Sequence, residues 1–338
     1  MDSEMGATGA VYVQSNEPDN RLIAFRRAAD GSLTEAGSWS TGGKGNDTAH
    51  LTSQGSVIIV GDGRHVIVTN AGSDDVSVFD VSGTEPRLTQ TVSVGGAPTS
   101  ATEHDGIVFV LATGEPAIVG FRLGQGMLER IGSRDLQAGA DPAQIGFTAD
   151  GKTLVVTQRG TDSIVTFPVS GGMLGEPSSI PSSGPTPYGF AISSTGTLVV
   201  TEAFGAQMGK AAASSYALRD GELSLVTGSI GNGRSEICWA VIKDDRYAFT
   251  TNFADGAVSR YALGADGSLT LEDATAGIAT DGQTGLRDED LSSDGAYLYA
   301  IDADTQRIVG WSVGTDGALA SIGSWEGVPA TVAGLAAS

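Results

Sequence analysis

Short apolar runs along this chain are separated by turns built on aspartate and glycine, and the runs recur with a fixed internal order. The clearest unit is Gly63–Phe79, GRHVIVTNAGSDDVSVF: a glycine turn, an apolar strand, a polar tip at Asn70, a short loop, and a strand closing on an aromatic. Copies follow at Gly151–Phe167, Asp245–Tyr261 and Gly295–Trp311. Alternation of this kind predicts β-strands, and no 3.6-residue period interrupts it. Recurrence at a fixed spacing is the signature of a repeat fold.

Each unit opens with a further strand. Ser56–Val60 precedes Asp62-Gly63, and equivalent strands precede Asp105-Gly106, Asp150-Gly151, Thr195-Gly196, Asp244-Asp245 and Asp294-Gly295. Four antiparallel strands in a repeat of about 45 residues describe a propeller blade. The aromatic ending the third strand counts the blades: Phe25, Phe79, Phe121, Phe167, Tyr216, Tyr261 and Trp311. The pattern predicts an all-β fold, a single seven-bladed β-propeller spanning 1–338. The blades fall at 8–42 with 331–337, 50–95, 98–138, 141–183, 187–230, 235–279 and 286–327. Blade 1 lacks a strand before Val11, whereas Thr331–Ala337 is an unused apolar piece at the other end of the chain. The C-terminal piece is therefore expected to supply the innermost strand of blade 1, hiding edges that an open ring would leave.

Composition narrows the function classes. The net charge is −21 with 19 Lys plus Arg, which disfavours nucleic acid as a partner because phosphate binding needs clustered cations. The 49 glycines suit a fold of many tight turns. The single cysteine, Cys238, excludes an intramolecular disulfide. No signal-peptide pattern and no apolar run long enough to span a bilayer is seen, so the expected setting is cytoplasmic, without a membrane partner. A monomer is the default, and no metal or cofactor motif occurs: HExxH, Walker loop, GxSxG and zinc-type cysteine pairs are all missing.

In a propeller, the starts of the first strands and the ends of the second surround one mouth of the axial channel. The strand-two ends are Asn16, Asn70, Ala112, Gln158, Glu202, Asn252 and Asp302; the strand-one starts are Ser56, Thr99, Gln144, Gly189, Cys238 and Asp288. Such polar residues either cap strand ends and hold buried water or form a site. Glu202 alone puts a glutamate where other blades mostly carry amides, and the long stretch Phe204–Ser214 follows it. A carboxylate beneath such a flap would act as general acid or base; the alternative is a solvated loop charge. Asp288, with Arg287 and Asp302, forms either a pair orienting a carboxylate or phosphate, or a surface ion pair. Cys238, beside Trp239, reads as a small buried residue rather than a nucleophile. His50, in the glycine-rich connection Thr41–Gln54, is either a proton carrier or an ordinary loop histidine.

The blade pattern resembles the seven-bladed lactonase family, which includes bacterial 6-phosphogluconolactonase and the fungal carboxymuconate-cyclising enzyme. The resemblance runs from Ala10 to Ala336 and is carried by GSLTEAGSW (31–39), DPAQIGFTADGKTLVVTQRGTDSI (141–164), TPYGFAISSTGTLVVTEAFG (186–205) and DGSLT (266–270). It implies a small-molecule substrate at the mouth, met in the family by histidine, arginine and glutamate. Where the family reads Pro-His-Gln this chain has Pro142-Ala143-Gln144, and where it reads Pro-Arg-His this chain has Pro187-Tyr188-Gly189. The family's Asn-Glu corresponds to Thr201-Glu202, and a later Asn-Arg to Asn252-Phe253. Two arginines and the histidines are thus replaced, which argues against a phosphorylated sugar lactone.

The expected function is a lactonase-like enzyme performing lactone hydrolysis or acid–base isomerisation and cyclisation. Its acid/base candidates are Glu202, Asp288 and His50. Asn70, Gln144, Gln158 and Asn252 would orient the substrate, with Arg287 and Asp302; Tyr188, Phe204, Cys238, Trp239 and Phe253 would wall it. The alternative is a non-catalytic propeller binding a protein or small ligand.

Overall fold

The computed structural model describes residues 8–49, 51–279 and 284–338. Seven antiparallel sheets are arranged as blades. Blade 1 is ordered Ala333–Ala337, Gly9–Gln14, Arg21–Arg27 and Leu33–Ser40 from the axis outward. The C-terminal strand thus closes the ring as the sequence predicts, pairing Val11 with Ala337 and Val13 with Leu335. The inner strands of blades 2 to 7 are Val57–Val60, Pro98–His104, Pro142–Phe147, Pro187–Ile192, Ile237–Lys243 and Leu286–Leu291. The outer edge of blade 4 is split into Met173–Leu174 and Ser178–Pro181. Among the described residues the sole helical element is a single 3-10 turn, Phe204–Ala206, and no helix is long and apolar enough to cross a membrane.

The repeat aromatics explain why the blades stack. Seven apolar clusters each join two neighbouring blades, and each contains one of these aromatics, from Phe25 between blades 7 and 1 to Trp311 between blades 6 and 7. All seven are 3% exposed or less, so each contributes about 2–3 kcal/mol of burial to an interface that one blade alone could not form.

The inner strands carry an irregularity that positions the site. In blades 3 to 7 the pairing slips near the strand start, between Pro98 and Ser100, Pro142 and Gln144, Pro187 and Phe190, Ile237 and Trp239, and Arg287 and Glu289. Such bulges turn the chain and re-aim the extra side chain. The residues thrown out of register include Thr99, Ala143, Tyr188, Cys238 and Asp288.

Candidate functional site

The polar tips are buried, but their side chains serve the blades. Gln158 pairs with Pro142, Glu202 with Pro187, Asn252 with Ile237 and Asp302 with Leu286, so all four share one register. Asn70 donates to Asp75 Oδ1 (2.7 Å) and Ser77 Oγ (2.8 Å) and accepts from Asn20 and Thr41. Asn252 accepts from Asn232 and donates to Ser259 and the Ala257 carbonyl. Gln158 Oε1 accepts from Gln137, Thr161 and Ser163. Asp302 accepts from the Thr305 amide at 3.3 Å. Each tip ties the second strand to the third strand or to the connection from a neighbouring blade.

Glu202 has this role too, which corrects the expectation of a base under a flap. Its carboxylate is fully buried and accepts from the Gly184 amide (2.8 Å), Ser214 Oγ (2.6 Å) and Ser229 Oγ. An acceptor-only group is needed here because every partner donates, whereas Asn70 and Asn252 must do both. Glu202→Ala is expected to cost roughly 3 kcal/mol by leaving buried donors unpaired, read as a lower midpoint in urea. Folded Glu202→Ala protein is expected to keep the wild-type turnover. Phe204 stands half-buried at the head of the exposed stretch 205–210.

The bulges bring a different set together on the axis. The Tyr188 and Trp239 rings lie 5.7 Å apart, the Arg159 guanidinium sits 5.0 Å over Tyr188, and that of Arg287 lies 5.8 Å from the Phe253 ring. Cys238 is buried with them, its thiol pushed well above the ordinary range by that burial. The connection between blades 1 and 2 enters this end of the channel. Trp239 Nε1 donates to the Ser53 carbonyl (3.2 Å), and Ser53 Oγ to the Ala143 carbonyl. The Gln54 side chain reaches across to both backbone groups of Ala240, at 2.8 and 3.1 Å. Arg287 donates to the Ala49 carbonyl, and Arg159 to Asp141 (2.7 Å) and Thr52 (3.4 Å). Arg287, 1% exposed, is therefore neither a surface ion pair nor open to a ligand: it anchors the crossing segment. His50 lies outside the described residues.

Gly189 makes this crossing possible. A Cβ there would stand 2.3 Å from the Cys238 carbonyl and 2.6 Å from Gln54 Oε1. The family histidine expected at this position has no room.

Beyond Gln54 the channel opens into a cavity of about 470 Å³. Gln54, Gln144 and Asp288 line it, as do Phe147, Ile192 and Leu291 at the far ends of their inner strands. Gln144 bridges to blade 5, accepting from the Phe190 amide (2.6 Å) and donating to its carbonyl (3.1 Å). Asp288 is 2% exposed and stands beside the Gly334 amide and the Trp239 indole, while its Oδ2 has no partner. Burial raises its pKa to about 7 against the pull of Arg287. Asp290, also on the wall, accepts from the Ala337 and Leu291 amides, both at 2.9 Å, and burial likewise raises its pKa to about 7.

Of the residues expected around one mouth, Tyr188, Cys238, Trp239, Phe253, Arg287 and Asp288 are brought together, with Gln144 beside the cavity. Asn70, Gln158, Glu202 and Asn252 are not, whereas Asp302, paired with Leu286, lies near enough to act on the Arg287 charge. Arg159, Gln54 and Asp290 lay outside the expected set. For Asp290 a signal exists: Leu286–Leu291 reads LRDEDL, three consecutive acids on a strand type that is otherwise apolar or small.

Seven four-stranded blades thus surround an axial cavity whose wall carries a buried acid. The family model for the seven-bladed β-propeller lactonases matches residues 7–115, 100–207 and 199–329, and the chain belongs to that family. No curated protein matches the chain in sequence. Among solved structures, a provisionally named 6-phosphogluconolactonase from Bacteroides fragilis is similar at 18% identity, covering 100% of both chains with a TM-score of 0.78. A protein from Lactobacillus plantarum gives 15% identity, coverage of 98% of this chain and 99% of the other, and a TM-score of 0.80. The periplasmic gluconolactonase of Pseudomonas aeruginosa gives 15%, 95% and 97%, and 0.72. At these identities the likeness is one of fold.

Proposed function

We propose that the protein hydrolyses a small lactone in the axial cavity, with Asp288 as general base. The observation that carries this reading is the buried Asp288 carboxyl, whose Oδ2 has no partner, on the wall of a cavity of substrate size. A carboxyl with a pKa of about 7 is matched to proton transfer near neutrality. Asp288 takes a proton from water as its oxygen attacks the lactone carbonyl carbon. The Gln54 and Gln144 side-chain nitrogens each use one hydrogen on a backbone carbonyl and keep a second for the oxyanion. The ring C–O bond then breaks, the leaving alkoxide takes the proton back from Asp288, and a hydroxy acid is released.

The wall of the cavity has no lysine or arginine. Nothing there offsets a phosphate, and the reading therefore favours a lactone without one, in line with the membership of gluconolactonases in this family of folds. Base uptake in a pH-stat with a panel of γ- and δ-lactones, phosphorylated and not, tests it. Turnover of an unphosphorylated lactone is expected; a panel with no turnover, or one led by a phosphorylated lactone, overturns the reading.

A further inference from the structure

We propose that the axial cavity is a site for a small organic cation, with Asp290 the anchor for an ammonium group and Asp288 supplying a second negative charge beside it. On the lactonase reading above, on which this extension rests, the substrate is a lactone carrying a protonated amine.

The argument starts from the charges on the wall. Asp288, Glu289 and Asp290 all line the cavity from one strand, burial raising the Glu289 carboxyl well above the ordinary range, and no cation shares that wall. Arg287, behind the wall, partly offsets Asp288, but no cation acts on Asp290, and a carboxylate removed from water without a counter-charge is costly unless a ligand brings the missing charge. Asp288 belongs to the wall, and its buried Oδ2 has no partner. Asp290 is half-buried; its two oxygens are each oriented by one backbone amide, which fixes the carboxylate and leaves lone pairs for a further donor. An ammonium carries three donors and pairs with such a carboxylate by charge-assisted hydrogen bonds.

The same wall argues against a bare metal ion. Among the described residues no group of three or more His, Cys, Asp or Glu is placed to hold one. Of the three acids on the wall, Glu289 is held well above the ordinary carboxylate range by burial, and Asp288 and Asp290 alone fall short of the six to eight oxygens that calcium takes. The remaining wall near the acids is aliphatic, with Ile58, Ile192 and Leu335, and suits the carbon skeleton of an amine.

Isothermal titration at pH 8 with butylammonium, butanol and butyrate, three probes of one size and different charge, tests the site. Butylammonium is expected to bind at least tenfold more tightly than butanol, and butyrate not at all. Asp290→Asn and, separately, Asp288→Asn are expected to weaken butylammonium at least tenfold. Should Asp290→Asn fail to fold, Asp288→Asn, whose amide can keep the Gly334 and Trp239 contacts through its oxygen, carries the comparison. Equal binding of butylammonium and butanol, any binding of butyrate, or full affinity in the variants overturns the proposal. Hydrolysis of an α-amino-γ-lactone is read separately. Butylammonium binding without that hydrolysis leaves the cation site standing and removes the lactonase reading.

Discussion

Asp288→Asn is expected to lower kcat on any accepted lactone by roughly a thousandfold while making the protein more stable at pH 8. The substitution is close to isosteric. The amide oxygen takes the place of the carboxylate oxygen beside the Gly334 amide and the Trp239 indole, and the new NH2 replaces the unpartnered Oδ2. What is lost is the ability to accept a proton from water. The gain in stability follows from linkage. The folded protein holds the Asp288 proton up to a pH of about 7, whereas the unfolded chain releases it near 3.8. Unfolding thus releases a proton between these values, and the wild type loses stability as pH rises through that window. The loss is complete above pH 7 and amounts to about 4 kcal/mol for a shift of this size. Arg287 faces the carboxyl and limits the penalty; Tyr188 and Cys238, also near, are neutral throughout this range. Urea midpoints should therefore converge for the two proteins near pH 4 and separate toward pH 8, with the variant higher. A variant that stays fully active, or midpoints that separate in the opposite direction, would remove Asp288 from the mechanism.

Removal of residues 331–338 is expected to have the largest effect on the fold. The deletion takes away Ala333–Ala337, the inner strand of blade 1, with Val332 and Leu335 from one interblade cluster and Ala336 from another. Burial of these side chains is worth roughly 7 kcal/mol, comparable with the whole stability of an ordinary domain. It also exposes an edge beside Val11 and Val13, both fully buried in the intact ring. Circular dichroism should show no cooperative melting of the shortened chain above room temperature, with partial recovery when a synthetic 331–338 peptide is added as a strand. A melting curve like that of the full chain would show that the ring does not depend on this closure.

The fold was legible because its signal is repeated. Phe79 alone says little, but an aromatic at the same point of seven units sets the blade count and turns out to mark the seven interblade clusters. Closure was legible for a similar reason, since blade 1 was one strand short and Thr331–Ala337 was left over. The site was less so. Register correctly put Glu202 level with Asn70 and Asn252, but one-dimensional spacing does not say whether a strand-end side chain turns toward the axis or back into its blade. Glu202 differed from its counterparts because all its partners donate, which is a requirement of packing. Asp288 faces the axis because a bulge throws it out of register, and bulges leave no reliable mark in sequence. The path of Ser53 and Gln54 across the channel is a long-range contact of a loop, equally silent in a local pattern. The crowded backbone at Gly189 was its only trace.

That crossing segment places a stopper in one end of the channel. Ser53 and Gln54 cross one end of the axis, and Asp288 lies on the wall of the cavity beyond them. On the proposed lactonase reading, a ligand seated in the cavity would cover Asp288 from bulk solvent and favour return of its proton to the leaving oxygen. Asp290, on the same wall, stands as a second group that could exchange that proton.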